Sequence, residues 1–169
     1  MAIEIKFTGL EARRHHVEAN DGLESLAGLA HAATLVAHYA VTGVVRQRQP
    51  YDDRLRLFFQ ETRPGSLDVI LTVGGVLASG AAGNLFYDIL KATWKRATGS
   101  GSKGDLVVGD HIFRDGDLEA LAEATSPSLL RGHSWIDHPE QNISIKTGKQ
   151  LLVDFNKKTK AYLREEVFE

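Results

Sequence analysis

The chain has 169 residues, with 20 basic and 22 acidic side chains, a net charge of −2 and no cysteine. This length suffices for one domain with a substantial core. The lack of cysteine excludes disulfide scaffolds, thiolate zinc sites and cysteine nucleophiles. The near-neutral charge gives no general attraction to nucleic acid or to an anionic membrane. We therefore expect a soluble, cytoplasmic protein.

The N-terminal part predicts a strand followed by a long helix. Apolar and polar residues alternate over residues 3–8, as in a half-buried strand, and residues 15–19 are a candidate return strand. The pattern predicts a helix over residues 22–42, with Asn20 or Asp21 as the N-cap and Gly43 as its left-handed stop.

The middle of the chain predicts a hairpin, a second helix and a loop. Residues 55–60 alternate, Arg63-Pro64-Gly65-Ser66 has the composition of a turn, and residues 67–73 return as a second strand. A second helix is predicted over residues 77–97. The Gly/Ser-rich residues 98–104 then predict a flexible connector.

The C-terminal part completes the predicted fold class. We expect a third helix over residues 117–130, with Pro127 after it or beginning a second short turn. Residues 142–145 and 151–155 predict two strands, and residues 159–167 predict a short helix or an extended tail. The sum is an α+β protein in which a mostly antiparallel sheet of β-hairpins packs on two long helices and one or more short helices. We treat residues 1–169 as a single domain.

The first predicted helix has an unusual polarity, because no charged residue follows Glu24 within it. A helix that is apolar on most faces is covered either by its own fold or by a partner. In the second case the helix forms an interface, for which we assign Leu26, Leu29, Ala33, Val36 and Ala37. Our leading hypothesis is therefore a non-enzymatic module for self-association or partner binding, with a homo-oligomer or a protein partner expected.

Two basic groups each surround an aromatic residue, Tyr51 in the first and Trp94 in the second. Cations next to an aromatic ring can hold a phosphate and stack a base, although solvated strand and helix-end cations give the same pattern. The first alternative hypothesis is therefore a domain that binds the phosphate of a nucleotide or nucleic acid. Its candidate ligand-binding residues are Arg46, Arg48, Arg54, Arg56, Lys91, Lys95 and Arg96, with Lys103 beside the second group.

No complete catalytic set is present among the seven histidines and the carboxylates. His31 and His38 are about 10.5 Å apart along a helix, too far to hold one metal ion. The strongest candidates for a metal or acid–base site are two loop clusters, His133, Asp137, His138 and Glu140, and Asp110, His111, Asp115 and Asp117. Neither cluster has a recognisable ligand spacing. We assign no catalytic residue, metal ligand or cofactor, and we do not expect an enzyme.

Residues 69–90 contain a single charge, Asp88, and approach the length of a membrane span. However, they include several glycines and begin as a strand. A membrane-acting effector that exposes this segment is the remaining hypothesis, although we do not expect a membrane partner.

Several segments together resemble a known family: IEIKFTGLEARRHHVEANDGLESLAGLAHAATLVAHYAVTGVVRQRQP, QETRPGSLDV, GNLFYDILKATWKRATG, SPSLLRGH and YLREEVF. The pattern resembles an uncharacterised bacterial family, a domain of unknown function, whose members occur among mobile-element and phage-defence genes. The resemblance covers most of the chain but implies no reaction, cofactor or site. It also implies that members continue into a small β-rich part after the last segment, so this chain is expected to be part of a longer protein.

Overall fold

The computed structural model describes residues 2–9, 19–47, 55–59, 66–73, 80–148 and 150–168. In chain order its elements are β1 (Ala2–Thr8), α1 (Ala19–Thr42), β2 (Leu55–Phe59), β3 (Ser66–Val73), α2 (Gly80–Ala97), β4 (Leu106–Val108), β5 (His111–Phe113), α3 (Asp115–Gly132), β6 (Asn142–Thr147), β7 (Gln150–Phe155) and α4 (Lys157–Phe168). The predicted α+β class is confirmed, because a sheet of antiparallel strands packs on helices.

The main sheet has five strands in the order β2-β3-β1-β6-β7, and all neighbours are antiparallel. The N-terminal strand β1 lies in the centre, where it pairs with β3 on one side and β6 on the other. Its residues Ile3, Ile5 and Phe7 are buried, whereas the alternate side chains of β1 are half-buried. The sheet therefore buries one face, as the alternation of residues 3–8 predicts.

The buried face of the sheet is covered by helices that also pack on one another. Helix α1 packs against α3 and α2, and α3 contacts α2 and α4. Ile143 and Ile145 of β6 join Leu29 of α1 and Phe86 of α2 in one hydrophobic cluster. Helix α1 is apolar on most faces because other elements of the same chain cover it on several sides.

Most predicted elements are present, with shifted ends. The hairpins β2–β3 and β6–β7 occur as predicted, and α1 ends at Gly43, which has φ +71 and donates its N–H to Tyr39 O at 2.8 Å. The N-cap prediction is wrong, because Asn20 and Asp21 lie inside α1. The return strand predicted over residues 15–19 lies largely outside the described residues, and Ala19 is helical.

Helix α3 continues through Pro127, contrary to the prediction. A proline inside a helix removes one backbone donor. Here the hydroxyls of Thr125 and Ser126 donate to the carbonyls of Leu121 and Ala122 one turn earlier, at 2.9 and 2.7 Å. These bonds do not replace the lost bond to the Glu123 carbonyl. The burial of leucines on both sides of the proline offsets that loss.

Candidate functional site

A cleft of about 290 Å³ lies between the C-terminal half of α2 and the segment that follows it. Lys91, Lys95, Lys103 and Ser102 line it with polar groups, and Ala92, Leu106 and Leu118 add apolar surface. We call this site the lysine cleft. It brings together three members of the predicted ligand-binding set, Lys91, Lys95 and Arg96, and adds Lys103 from the following loop.

The periodicity of α2 sets the position of the first two lysines. Lys91 and Lys95 are one turn apart, about 6 Å along the axis, and so lie on the same helix face. Phe86, Leu90 and Trp94 of the same helix are buried in the core. Trp94 is 1% exposed and its ring lies 5.8 Å from that of Phe155. The expectation that Trp94 stacks a base is therefore wrong, because its indole belongs to the core.

The Arg96 side chain holds the residues around the cleft in place, and its charge is not available to bind a ligand. Its Nη1 donates to Asp115 Oδ1 at 2.8 Å and to Glu119 Oε1 at 2.9 Å, and its Nη2 donates to Gly104 O at 2.6 Å. The side chain is only 5% exposed. The assignment of Arg96 as a ligand-binding residue is thus corrected: its guanidinium is already committed to two carboxylates of α3.

Residues 98–104 are tied to the fold at several points, whereas the sequence predicts a flexible connector. Ser100 N–H donates to Lys95 O at 2.9 Å, and Gly104 N–H donates to Asp115 Oδ1 at 2.8 Å. A Cβ atom at Gly101 would lie 2.6 Å from Arg96 N, so this close approach requires glycine. The loop therefore holds Ser102 and Lys103 at the edge of the cleft.

Some of the acidic side chains near the cleft form hydrogen bonds with other residues of the protein. The Arg96 hydrogen bond, and after it the Gly104 N–H, lower the pKa of the Asp115 carboxyl below its usual value. Asp105, which lines the cleft, accepts the Asp115 N–H at 2.8 Å. Among the described residues, Lys91, Lys95 and Lys103 form no ion pair within 4.0 Å. Asp88 is the remaining carboxylate that lines the cleft.

The other predicted ligand-binding residues do not line this cleft. Arg46 lies after α1, where its Nε donates to His38 Nε2 at 3.2 Å, and it lines a separate depression with Val44, Val45 and Gln47. Arg56 lies in β2 with its backbone opposite Thr72. Arg48 and Arg54 lie outside the described residues. The structure thus divides the predicted set between the lysine cleft and other parts of the chain.

The predicted interface on α1 is corrected by the structure. All five assigned side chains are buried by the rest of the chain: Leu26 is 6% exposed, and Leu29, Ala33, Val36 and Ala37 are fully buried. They face the sheet or the neighbouring helices, and so a folded partner cannot reach them. Exposed apolar residues of α1 occur instead at its ends, at Leu23 and Val41.

The histidine cluster around His133 is not assembled as a site. The His133 ring is buried, with Nδ1 2.7 Å from Leu129 O and Nε2 2.8 Å from Thr159 Oγ1, and burial lowers its pKa to about 4. Asp137, His138 and Glu140 are exposed. In the part of the chain that the structure describes, no three His, Asp or Glu side chains are placed to hold a metal ion. Trp135 is 2% exposed and anchors this loop in the core.

The hairpin β4–β5 was not predicted, because its acidic residues indicated a loop. Leu106 pairs with Phe113, Val107 with Ile112 and Val108 with His111, which leaves Gly109 and Asp110 as a two-residue connection. A Gly-Asp pair between short apolar runs is a recognised hairpin signal. The signal was thus present but was obscured by the surrounding acidic residues.

The segment over residues 69–90 forms no continuous helix where it is described. Its first part belongs to β3 and its last part to α2. Of the helices described, none has the length and apolar character needed to cross a bilayer.

Comparison with known proteins identifies the family but no function. The family model described as "Domain of unknown function (DUF7946)" matches residues 3–108, more than half of the chain, and so the chain belongs to that family. The match ends with β4, whereas α3, β6 and β7 complete the core beyond it. No curated protein and no solved structure matches the chain.

Proposed function

We propose that this protein is a non-enzymatic binding domain that holds a phosphate group of a nucleotide or nucleic acid in the lysine cleft. The observation that carries the proposal is the convergence of Lys91, Lys95 and Lys103 on one cleft, with no ion pair to a described residue. Three ammonium groups around one concave surface provide the donors and the charge that a phosphate requires.

The helix dipole explains only part of this arrangement. Cations in the last turn of a helix are favourable, and this accounts for Lys95 and Arg96. Lys91 lies a full turn earlier, and Lys103 lies outside the helix in the ordered loop. The helix dipole therefore does not explain Lys91 and Lys103, and their place at the cleft supports a bound phosphate.

The lining of the cleft points to recognition of phosphate rather than of a base. Its apolar groups are aliphatic, namely Ala92, Leu106 and Leu118, and none of the described residues that line it is aromatic. Proteins that bind single strands through their bases use exposed aromatic rings for stacking. We therefore expect the affinity to depend on phosphate charge and salt, and only weakly on base identity.

NMR titration of the ¹⁵N-labelled protein with inorganic phosphate, with a mononucleotide and with a short single-stranded oligonucleotide tests the proposal. We expect the amide signals of residues 101–105 and the last turns of α2 to shift. The variant Lys91→Gln/Lys95→Gln/Lys103→Gln should abolish these shifts, and Lys158→Gln, an exposed lysine of α4, should preserve them. Shifts that are absent or that persist in the triple variant would contradict the proposal.

Self-association is the second candidate function, and a different surface favours it. The predicted interface on α1 is buried, but Val107 and Ile112 of the hairpin β4–β5 are 63% and 62% exposed. Exposed apolar residues that form a cross-strand pair are a feature of contact surfaces. A cytoplasmic location and a role in phage defence are further proposals; the cysteine-free composition supports the first, and the sequence resemblance supports the second.

A further inference from the structure

The hairpin β4–β5 forms a small sheet of its own with unequal faces. Leu106 and Phe113 pack against the core, and the ring of Phe113 lies 5.9 Å from that of Tyr39. Val107 and Ile112 form the cross-strand pair on the opposite face and are mostly exposed. A two-stranded hairpin is marginally stable by itself, so additional strands would stabilise it.

The ladder also determines which backbone groups point outwards. Val108 and His111 flank the two-residue turn, where the ladder closes with a hydrogen-bonded pair. Hydrogen-bonded and non-hydrogen-bonded residue pairs alternate along an antiparallel ladder. Val107 and Ile112, the next pair after Val108 and His111, are therefore a non-hydrogen-bonded pair. The N–H and C=O of Ile112 therefore point away from β4. Within the described part of the chain, β5 pairs with no other strand.

We infer that a second copy of this chain docks on β5, so that the two β5 strands pair antiparallel about a two-fold axis at Ile112. In this register Ile112 of each copy exchanges both backbone hydrogen bonds with Ile112 of the other. His111 lies opposite Phe113 of the second copy, and Asp110 lies level with Arg114. The four exposed apolar side chains, two from each copy, then form one stripe across a four-stranded sheet.

The charges at the two ends of β5 favour a second copy as the occupant. Asp110 and Arg114 are both exposed, and neither forms an ion pair with a described residue. Arg114 has an extended backbone with φ −70 and ψ 142, so the strand direction continues to this residue. The two-fold register places each aspartate beside an arginine, which makes the edge self-complementary. Parallel pairing would lose this match.

The short strands make the expected contact small and therefore transient. Edge strands that remain unpaired are common sites of intermolecular pairing. This inference rests on self-association, the second candidate function. Because β5 contributes no residue to the lysine cleft, the contact can fail while phosphate binding holds, or the reverse.

Sedimentation equilibrium of the full chain, from micromolar to millimolar concentration, tests the inference. The wild type should show a monomer–dimer equilibrium. Asp110→Arg and Arg114→Asp should each weaken the dimer at least tenfold, because like charges then face each other. The double variant Asp110→Arg/Arg114→Asp should restore it, since the swapped charges match again.

Arg114 occupies the N-cap of α3, where aspartate is a favoured residue, and so Arg114→Asp should preserve the fold. Thermal unfolding of each variant provides the folding control. A wild type that is monomeric at every concentration would overturn the inference. A dimer that withstands both single charge reversals, or that the double variant fails to restore, would overturn it as well.

Discussion

Arg96 Nη1 lies 2.8 Å from Asp115 Oδ1, and this ion pair joins the end of α2 to the start of α3. The same aspartate oxygen accepts the N–H of Gly104. One arginine and one aspartate thereby hold Gly104, the last residue of the glycine-rich loop that carries Lys103. The shape of the lysine cleft consequently depends on a residue that contributes no free charge to it.

Replacing Arg96 by glutamine should lower the free energy of unfolding by about 2 kcal/mol, because hydrogen bonds to charged groups are lost and two carboxylates remain close together. Lys95→Gln, on the neighbouring residue, should change it by less than about 0.5 kcal/mol. Urea denaturation of both variants provides the measurement. Equal stability of the two variants would show that the Arg96 ion pairs do not hold the loop.

Asp88 lines the cleft with the three lysines and should oppose an anion there. We expect Asp88→Asn to strengthen the binding of a single-stranded oligonucleotide about threefold, in line with the ~0.5–1 kcal/mol typical of exposed charge interactions. Asp137→Asn, an exposed aspartate beyond α3, is the matched control and should leave the affinity unchanged. Weaker binding by Asp88→Asn would indicate that this carboxylate assists the ligand instead.

The buried ring of His133 should make stability depend on pH. Burial lowers its pKa from 6.5 to about 4 in the folded state. The unfolded chain therefore takes up the proton first, and the stabilisation present above pH 6.5 decreases as the pH falls towards 4. The full loss amounts to about 3 kcal/mol. The pKa of His31 is also lowered by burial and adds a change in the same direction.

Urea denaturation between pH 7.5 and about 5 separates this effect from the carboxylates. Glu24 and Asp115 have pKa values lowered from 4.5 and 3.8, so their contributions decrease only in more acidic solution. In His133→Asn the decrease over this window should be smaller than in the wild type, whereas His138→Asn, at an exposed position, should retain it. The same decrease in all three proteins would exclude His133 as its source.

Gly28 marks the closest approach of α1 to α3. A Cβ atom at this position would collide with backbone atoms of Ser128 and Gly132. We expect Gly28→Ala to destabilise the protein by about 1–3 kcal/mol through overpacking, despite the better helix propensity of alanine. Gly116→Ala, with no atom within 4 Å of the added carbon, should stabilise it by about 0.5 kcal/mol. Thermal unfolding that ranks the two variants in the opposite order would contradict this packing.

Local patterns predicted much of the fold because strand alternation, turn residues and helix stops act within a few residues. The hairpins β2–β3 and β6–β7 and the stop at Gly43 are of this kind. Pro127 failed as a helix boundary because the packing of α3 outweighs one lost backbone hydrogen bond. Local propensity carries no information about such packing.

The candidate site was harder to predict because its partners are distant in sequence. Arg96 and Lys95 are adjacent cations at the end of one helix, but the carboxylates that neutralise Arg96 lie 19 and 23 residues later. Similarly, an apolar pattern cannot distinguish coverage of α1 by its own chain from coverage by a partner. The sequence therefore grouped Lys91 and Lys95, which line one cleft, but it misjudged both Arg96 and the α1 interface.

The salt dependence of oligonucleotide binding tests the phosphate-binding proposal most directly. Fluorescence anisotropy with a single-stranded oligonucleotide, measured over a range of salt concentrations, gives the slope of log Kobs against log salt. Each neutralised phosphate of a single strand contributes about −0.7 to that slope. Because the three lysines surround one phosphate, the Lys91→Gln/Lys95→Gln/Lys103→Gln variant should have a slope about 0.7 units shallower than the wild type. Equal slopes for the two proteins, or no binding by the wild type at low salt, would contradict the proposal.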